Sequence, residues 1–242
     1  FRRVLFRSSK ILLKRCVITR DQVKEDRDGV FKVYQQNAVE SEILNAQQRL
    51  PAWLTAKKGS GVKSLKPSLF GEVLSLTGIH GYYNPFTAEA QYNPHLPSSA
   101  LPFTLAHESA HQVGFAREQE ANFIGYLSGR DSQNSDLRYS AQFFALRSLL
   151  NSIYPTDSLF VKQMVKQYSP GMKRDRLYER AFAKKNQGAL NDFFSWSNDA
   201  FLKSNRQDGS VTYSYFTDLL IRYELAENKK ESRFTTRFQK HK

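Results

Sequence analysis

The chain has 242 residues, of which 40% are hydrophobic and 13% aromatic, a composition that indicates a globular protein and excludes a disordered one. Its single cysteine, Cys16, excludes an internal disulfide framework. The net charge is +13, but the first 20 and the last 21 residues carry +11 of it, so the body of the chain is nearly neutral and no specific nucleic-acid binding is expected.

The two basic ends are the first segments to interpret. Residues 1–20 contain seven basic and no acidic side chains, which predicts a basic N-terminal arm, and residues 228–242 are predicted to form a basic tail. The chain starts at Phe1 without a methionine, so the first nine residues are expected to be partly non-native and to have no part in the fold. The ends are either ordinary solvated termini or a contact for an anionic membrane surface. No window approaches 18 consecutive apolar residues, which predicts a soluble chain that does not span a membrane.

Apolar spacing over residues 21–50 predicts a helix that Pro51 ends. Residues 62–76 are ambiguous between a strand and a short helix, and the Gly- and Pro-rich residues 78–96 are expected to hold one or two short strands. Residues 87–92 are a candidate edge to which a peptide backbone could pair as an added strand. An ordinary aromatic-rich loop is the alternative for the same residues.

The stretch from Pro102 to Gly114 predicts a helix, because proline is tolerated at a first helical position and glycine ends helices in a left-handed conformation. A second helix is predicted for residues 117–127. The rest forms a helical C-terminal part over about 135–227, with helices at 136–153, 158–168, 171–185, 189–203 and 211–226. The fold class expected is α+β and predominantly α-helical, with one domain over residues 21–242.

Within the first of these two helices, the run His107-Glu108-Ser109-Ala110-His111 carries the chemistry. Positions i and i+4 share a helix face, so both imidazoles can bind one ion. Glu108 is rotated by about 100° from His107, which places its carboxylate beside the metal as a base for a zinc-activated water. The alternative is a surface helix whose histidines only titrate. The apolar neighbours Leu105, Ala106, Ala110 and Val113 disfavour it, since a buried His-Glu-His cluster without a metal would be costly to desolvate.

The residues around this motif resemble a bacterial family catalogued as a domain of unknown function, number 3810. The resemblance rests on residues 102–123, on the run Gly78-Ile79-x-Gly81-Tyr82-Tyr83-x-Pro85-Phe86-Thr87-x-Glu89-Ala90, and on Tyr213-x-Tyr215 with Leu219-Leu220. It implies a zincin-like core and a zinc metallopeptidase, usually behind N-terminal membrane helices that this chain lacks. Residues 118–122 also resemble the second-helix motif of gluzincins. That resemblance implies that Glu118 is the third zinc ligand and that Asn122, in place of the usual aspartate, orients a histidine.

Glu118 and Glu120 compete for the role of third ligand. On one continuous helix Glu118 would lie about 10 Å along the axis from His111, so the chain must turn back, and Gly114 is where it can. Glu118 shares its face with the small residues Ala121, Asn122 and Gly125, whereas Glu120 shares a broad apolar stripe with Phe123, Ile124 and Leu127. The sequence therefore favours Glu118 over Glu120.

The leading prediction of function is a zinc-dependent peptidase that acts on a peptide or protein substrate, with one Zn²⁺ ion and Glu108 as general base. Tyr139, Tyr213 and Tyr215 are candidates for the oxyanion donor on residue type alone. The alternative is a non-catalytic scaffold or binding domain that zinc stabilises, although no cysteine or histidine follows closely after His111 to provide a fourth ligand. A basic module that binds through its ends is a third, weaker prediction.

Overall fold

The computed structural model describes residues 2–50, 54, 65–84, 86–87, 89–186 and 215–226. In chain order the elements are α1 (Arg2–Arg20), α2 (Gln36–Gln48), β1 (Leu65–Pro67), α3 (Gly71–Thr77), β2 (Gly81–Asn84), β3 (Glu89–Tyr92), α4 (Leu101–Gln112), α5 (Glu118–Gly129), α6 (Ser135–Ile153), α7 (Ser158–Lys166) and α8 (Pro170–Lys185). A further helix, α9, covers residues 215–226. The fold is α+β and mostly helical, as predicted. The helix predicted for 189–203 and the basic tail 228–242 lie outside the described residues.

Helix α4, which carries the His-Glu-His run, lies at the centre of the fold. It packs against α2, α5, α6 and all three strands, and ten of its twelve residues are buried. Leu101, Leu105 and Ala106 join the side chains of α2 and β3 in one apolar cluster, and Ala110 joins Ala121 and Ile124 of α5 in another. A helix that is buried on nearly all sides can hold polar side chains only where each of them has a partner.

The three strands found among the described residues form one small sheet in the order β1-β3-β2. β3 pairs in parallel with β1, with Leu65 opposite Ala90, and antiparallel with β2, with Gly81 opposite Tyr92. The prediction that residues 87–92 offer a free edge is therefore wrong, because Glu89–Tyr92 is the central strand and both of its edges are paired. In the described part of the sheet the edges belong to β1 and β2.

Residues Arg2–Arg20 form a packed helix, which corrects the expectation that the first nine residues have no part in the fold. Leu5, Leu12, Leu13 and Cys16 of α1 are buried in the main apolar cluster with α6. The exposed positions of the same helix carry most of its basic side chains. Helix α1 is therefore amphipathic: most of its arginine and lysine side chains lie on the outer face, and its apolar stripe packs into the core.

A buried ionic cluster connects α1 to α6 and α8. Asp175 accepts two hydrogen bonds from the Arg20 guanidinium, at 2.6 and 3.1 Å, and one at 2.7 Å from the Tyr139 hydroxyl. It also accepts the backbone N–H of Phe31, which holds the loop between α1 and α2 against the core. The helix predicted over residues 21–50 is shorter in the structure, where it covers only Gln36–Gln48 and follows this loop.

Within the described residues, no helix has the length and apolarity that crossing a bilayer requires.

Candidate metal centre

Helix α4 brings two imidazole nitrogens to one point. The Nε2 atoms of His107 and His111 lie 3.2 Å apart, and the two rings are perpendicular. The side chains are 13% and 11% exposed, so the pair is largely shielded but still open to solvent on one side. This is the geometry expected of an i, i+4 pair that shares one ion.

The end of α4 fixes the orientation of His111. Gly114 has a φ of 105°, and the N–H groups of Gly114 and Phe115 bond to the carbonyls of His111 and Ala110, which is the Schellman arrangement that ends many helices. The turn places the Phe115 carbonyl 2.7 Å from Nδ1 of His111. If Nδ1–H donates to this carbonyl, Nε2 carries the free lone pair, as a metal ligand requires.

The same turn leads into α5, whose first residue completes the site. The Glu118 carboxylate lies 3.3 Å from Nε2 of His107 and 3.5 Å from Nε2 of His111. Close packing of α5 on α4 allows this approach, since Ala121 is fully buried and the Gly125 backbone lies against that of His107. Glu120 makes no ion pair with either imidazole in the described part of the chain, where the ion pairs of both belong to Glu118.

The spacing of the three donors fits a small tetrahedral cation. Ligand bonds of about 2.0–2.1 Å in a tetrahedron put the ligand atoms about 3.3–3.4 Å apart. The separations here are 3.2 Å between the two nitrogens, 3.3 Å from His107 to Oε2 of Glu118 and 3.5 Å from His111 to Oε1 of Glu118. Two imidazole nitrogens and one carboxylate are also the donor types that zinc accepts. The residues therefore fit the ion that the sequence predicts.

Glu108 is buried beside this centre and presses against strand β2. Its side chain is 5% exposed, and a methyl group added to Gly81 would meet its Oε1 at 2.7 Å. Ligand-type atoms of His107, Glu108 and His111 lie within 4.8 Å of one another, so the carboxylate is within reach of the metal position. Burial raises the pKa of Glu108, and the neighbouring Glu118 adds to the rise, while the two histidines oppose it.

The charges around the centre favour an ionised Glu118. Burial alone would raise the pKa of Glu118, but hydrogen bonds and attraction from His107 and His111 hold it far below its usual range. Burial likewise disfavours a charged His111, yet Glu118 and Glu108 raise the pKa of His111 above its ordinary value. The carboxylates thus supply negative charge to a site where positive charge is stabilised.

Asn122, expected to orient a histidine, lies on α5 and is 9% exposed. The structure does not place its amide on His107, because Nδ1 of His107 is buried and has no hydrogen-bond partner among the described residues. The orienting role of Asn122 remains a prediction. An orphaned ring nitrogen on a metal-ligand candidate is itself unusual, since such nitrogens normally donate to an outer partner.

Of the three tyrosines considered as oxyanion donors, Tyr139 is excluded. It is fully buried and donates to Asp175 in the ionic cluster of α1, α6 and α8. Tyr215 begins α9 and is 44% exposed, and Tyr213 lies outside the described residues. The sequence did not identify the Phe115 carbonyl or Gly81 as part of the site. Gly114, which predicts a helix end just before Phe115, was a signal for the first, and Gly81 had none.

Comparison with known proteins adds a family and no function. Neither the curated proteins nor the solved structures include a significant match to this chain. The sequence profile of a family described as "Protein of unknown function (DUF3810)" matches residues 3–221. The match includes α1, so residues 3–9, which sequence reasoning set aside as non-native, lie within the family region. This extent shows that the chain belongs to the DUF3810 family.

Proposed function

We propose that this protein is a zinc-dependent peptidase with a zincin-like arrangement of α4 and α5. One observation carries the proposal: the Nε2 atoms of His107 and His111 lie 3.2 Å apart, and the Glu118 carboxylate places Oε2 at 3.3 Å from the first and Oε1 at 3.5 Å from the second, separations close to those between the ligands of a tetrahedral zinc site. A buried fourth side chain, Glu108, lies beside them without being needed as a ligand. Three protein ligands with one open position are typical of catalytic rather than structural zinc.

In this proposal each side chain has one task. His107, His111 and Glu118 would hold the ion, which when bound would supply an electrophile that acidifies water and polarises a carbonyl. Glu108 would accept the proton of the attacking water and pass it to the leaving amine. Its raised pKa suits this role, because a carboxyl that is too acidic transfers protons poorly near neutral pH.

Strand β2 supports a peptide substrate in particular. It is an edge of the described sheet, and its first residue, Gly81, contacts the Glu108 side chain. An extended peptide that paired with β2 as an added strand would lie directly beside the base. Backbone pairing of this kind binds peptides without regard to most side chains, so it suits a peptidase of broad specificity.

The proposal is tested by Glu108→Gln in the full chain loaded with one equivalent of zinc. Hydrolysis of a denatured protein such as casein, read by mass spectrometry, should fall by about 10²–10⁴-fold, the contribution of a general base. Zinc content should remain at one per chain, because a base and not a ligand is removed.

Two results would contradict the proposal. Near-wild-type turnover in Glu108→Gln would exclude Glu108 as the base. Loss of zinc from that variant, together with a wild type that cleaves no protein or peptide, would favour the zinc-stabilised scaffold, with Glu108 as a fourth ligand.

A further inference from the structure

The outer face of α1 carries a row of four cations. Arg3, Arg7, Lys10 and Lys14 are exposed and follow at intervals of three and four residues, which places them on one face over about 16 Å. The described ion pairs of α1 are made by three other arginines, Arg2, Arg15 and Arg20. The α1 sequence contains no acidic residue, so the charge of the row is not neutralised within its own helix.

Apolar side chains adjoin this row. Phe6 and Ile11, together with the four cations, line an open surface cavity of about 350 Å³. The Phe6 ring lies 4.3 Å from that of Phe160 in α7. Two large side chains near Phe160 in the sequence are exposed: Leu159 on α7, at 70% exposure, and Tyr154 before α7, at 54%.

A contact between charged groups holds the two elements together. Arg2 in the first turn of α1 pairs with Asp157, the N-cap of α7, at 3.2 Å. Through these two contacts α7, which carries Leu159 and follows Tyr154, packs beside the start of α1, which carries the cation row and the cavity. We call the cation row, the cavity, Tyr154 and Leu159 the α1–α7 surface.

We propose that the α1–α7 surface docks on an anionic phospholipid bilayer. Lipid phosphates and carboxylates would pair with the four cations, and Tyr154 and Leu159 would enter the interfacial region, where aromatic and aliphatic side chains are stabilised. A nucleic acid would use the cations equally well, but it would gain nothing from an exposed leucine. The bilayer is favoured because exposed cations lie on α1 while exposed apolar side chains lie on, or just before, the helix α7 that packs against it.

The test is flotation of the full chain with vesicles of phosphatidylcholine alone or with 30% phosphatidylserine. Binding should require phosphatidylserine and should weaken as salt rises. Each cation near an anionic surface strengthens binding by about fivefold, so the triple change Arg7→Gln, Lys10→Gln and Lys14→Gln should weaken it by about a hundredfold. Leu159→Asn should weaken it severalfold.

A matched control removes the same charge elsewhere. Three cations of α8 are exposed: Lys173, Arg180 and Lys184. Changing all three to Gln should leave the affinity for phosphatidylserine vesicles within about fivefold of wild type, which is the contribution of a single cation near the surface. Equal loss in both triple variants would overturn the proposal in favour of non-specific attraction. Unchanged binding of Leu159→Asn would exclude insertion. Binding to a 20-base-pair DNA duplex through the same α1 residues, without binding to vesicles, would identify a nucleic-acid site instead.

Discussion

At the scale of single residues, the imidazoles of His107 and His111 decide what the centre can hold. Two Nε2 atoms 3.2 Å apart would repel each other through their lone pairs if neither carried a proton and no cation lay between them. In the proposed metal centre, the adjacent Glu118, whose pKa the two histidines hold far below its usual range, would favour a cation. If Nδ1–H of His111 donates to the Phe115 carbonyl, the ring proton is held away from the centre, which strengthens that preference.

A first prediction separates Glu118 from its neighbour Glu120. Glu118→Ala should weaken zinc binding by more than about a hundredfold, because losing an outer partner of a ligand already costs 10–100-fold. Glu120→Ala should leave the zinc affinity within a few fold of wild type, because among the described residues His107 and His111 form their ion pairs with Glu118. Competition with a chromophoric chelator measures both affinities. Strong weakening by Glu120→Ala alone would show that the wrong face of α5 was chosen.

The sequence could predict the residues of the centre that depend on local geometry. The helical period places His107 and His111 on one face, and Gly114 indicates where the chain turns back. It could not predict the role of Tyr139, because the partner Asp175 lies 36 residues further along the chain. For the same reason Gly81 was missed, since its contact with Glu108 crosses from a strand to a helix.

At the scale of elements, β2 and α4 meet where Gly81 faces Glu108. A methyl group at Gly81 would lie 2.8 Å from the Gln91 carbonyl as well as 2.7 Å from Oε1 of Glu108. The first atom belongs to the paired backbone of β3 and cannot move without disrupting the sheet. An added methyl would therefore displace the Glu108 side chain and would also push β2 away from β3.

Gly81→Ala is expected to lower turnover while zinc stays bound. Misplacing a catalytic group by about 1 Å can cost about 10²-fold in rate, whereas the three proposed ligands lie on α4 and α5 and not on the strand that changes. The measurements are zinc content, hydrolysis rate and melting temperature.

Gly129→Ala is the matched control, because its methyl would meet Cβ of Ala141 at 2.5 Å between α5 and α6. It should lower the melting temperature and spare turnover per folded molecule. Equal loss of turnover in both variants would show that Gly81 matters only for stability.

Elements were predictable from the sequence where the signal lies within one segment. The bounds of α4 and α5 follow from Pro102, Gly114 and the apolar period, and they lie within two residues of the predicted ones. The position of β3 at the centre of the sheet was not predictable, because it depends on pairing with β1 across 25 residues. Short strands owe their order to such distant partners.

At the scale of the whole molecule, α1 holds together parts of the chain that are distant in sequence. Its buried side chains pack on α6, and Arg20 joins Asp175 of α8. The apolar stripe at Leu5, Leu12, Leu13 and Cys16 is visible in the sequence, but the seven basic residues of the same segment led to the prediction of a basic arm rather than a packed helix. The family match from residue 3 agrees that this helix is part of the common domain.

Removing residues 1–20 is therefore expected to abolish cooperative folding. Burying each large apolar side chain contributes about 1.5–3 kcal/mol, and a domain has a net stability of only about 5–15 kcal/mol. The deletion would also leave Asp175 buried without Arg20, which costs about 3–5 kcal/mol.

A point variant tests the same helix in graded form. Leu12 is 1% exposed, and Leu12→Ala should lower the free energy of unfolding by about 2–5 kcal/mol. Lys10→Ala on the outer face should change it by less than about 0.5 kcal/mol. Urea unfolding followed by circular dichroism measures all three, and a truncated chain that unfolds with the wild-type midpoint would show that α1 is not part of the core.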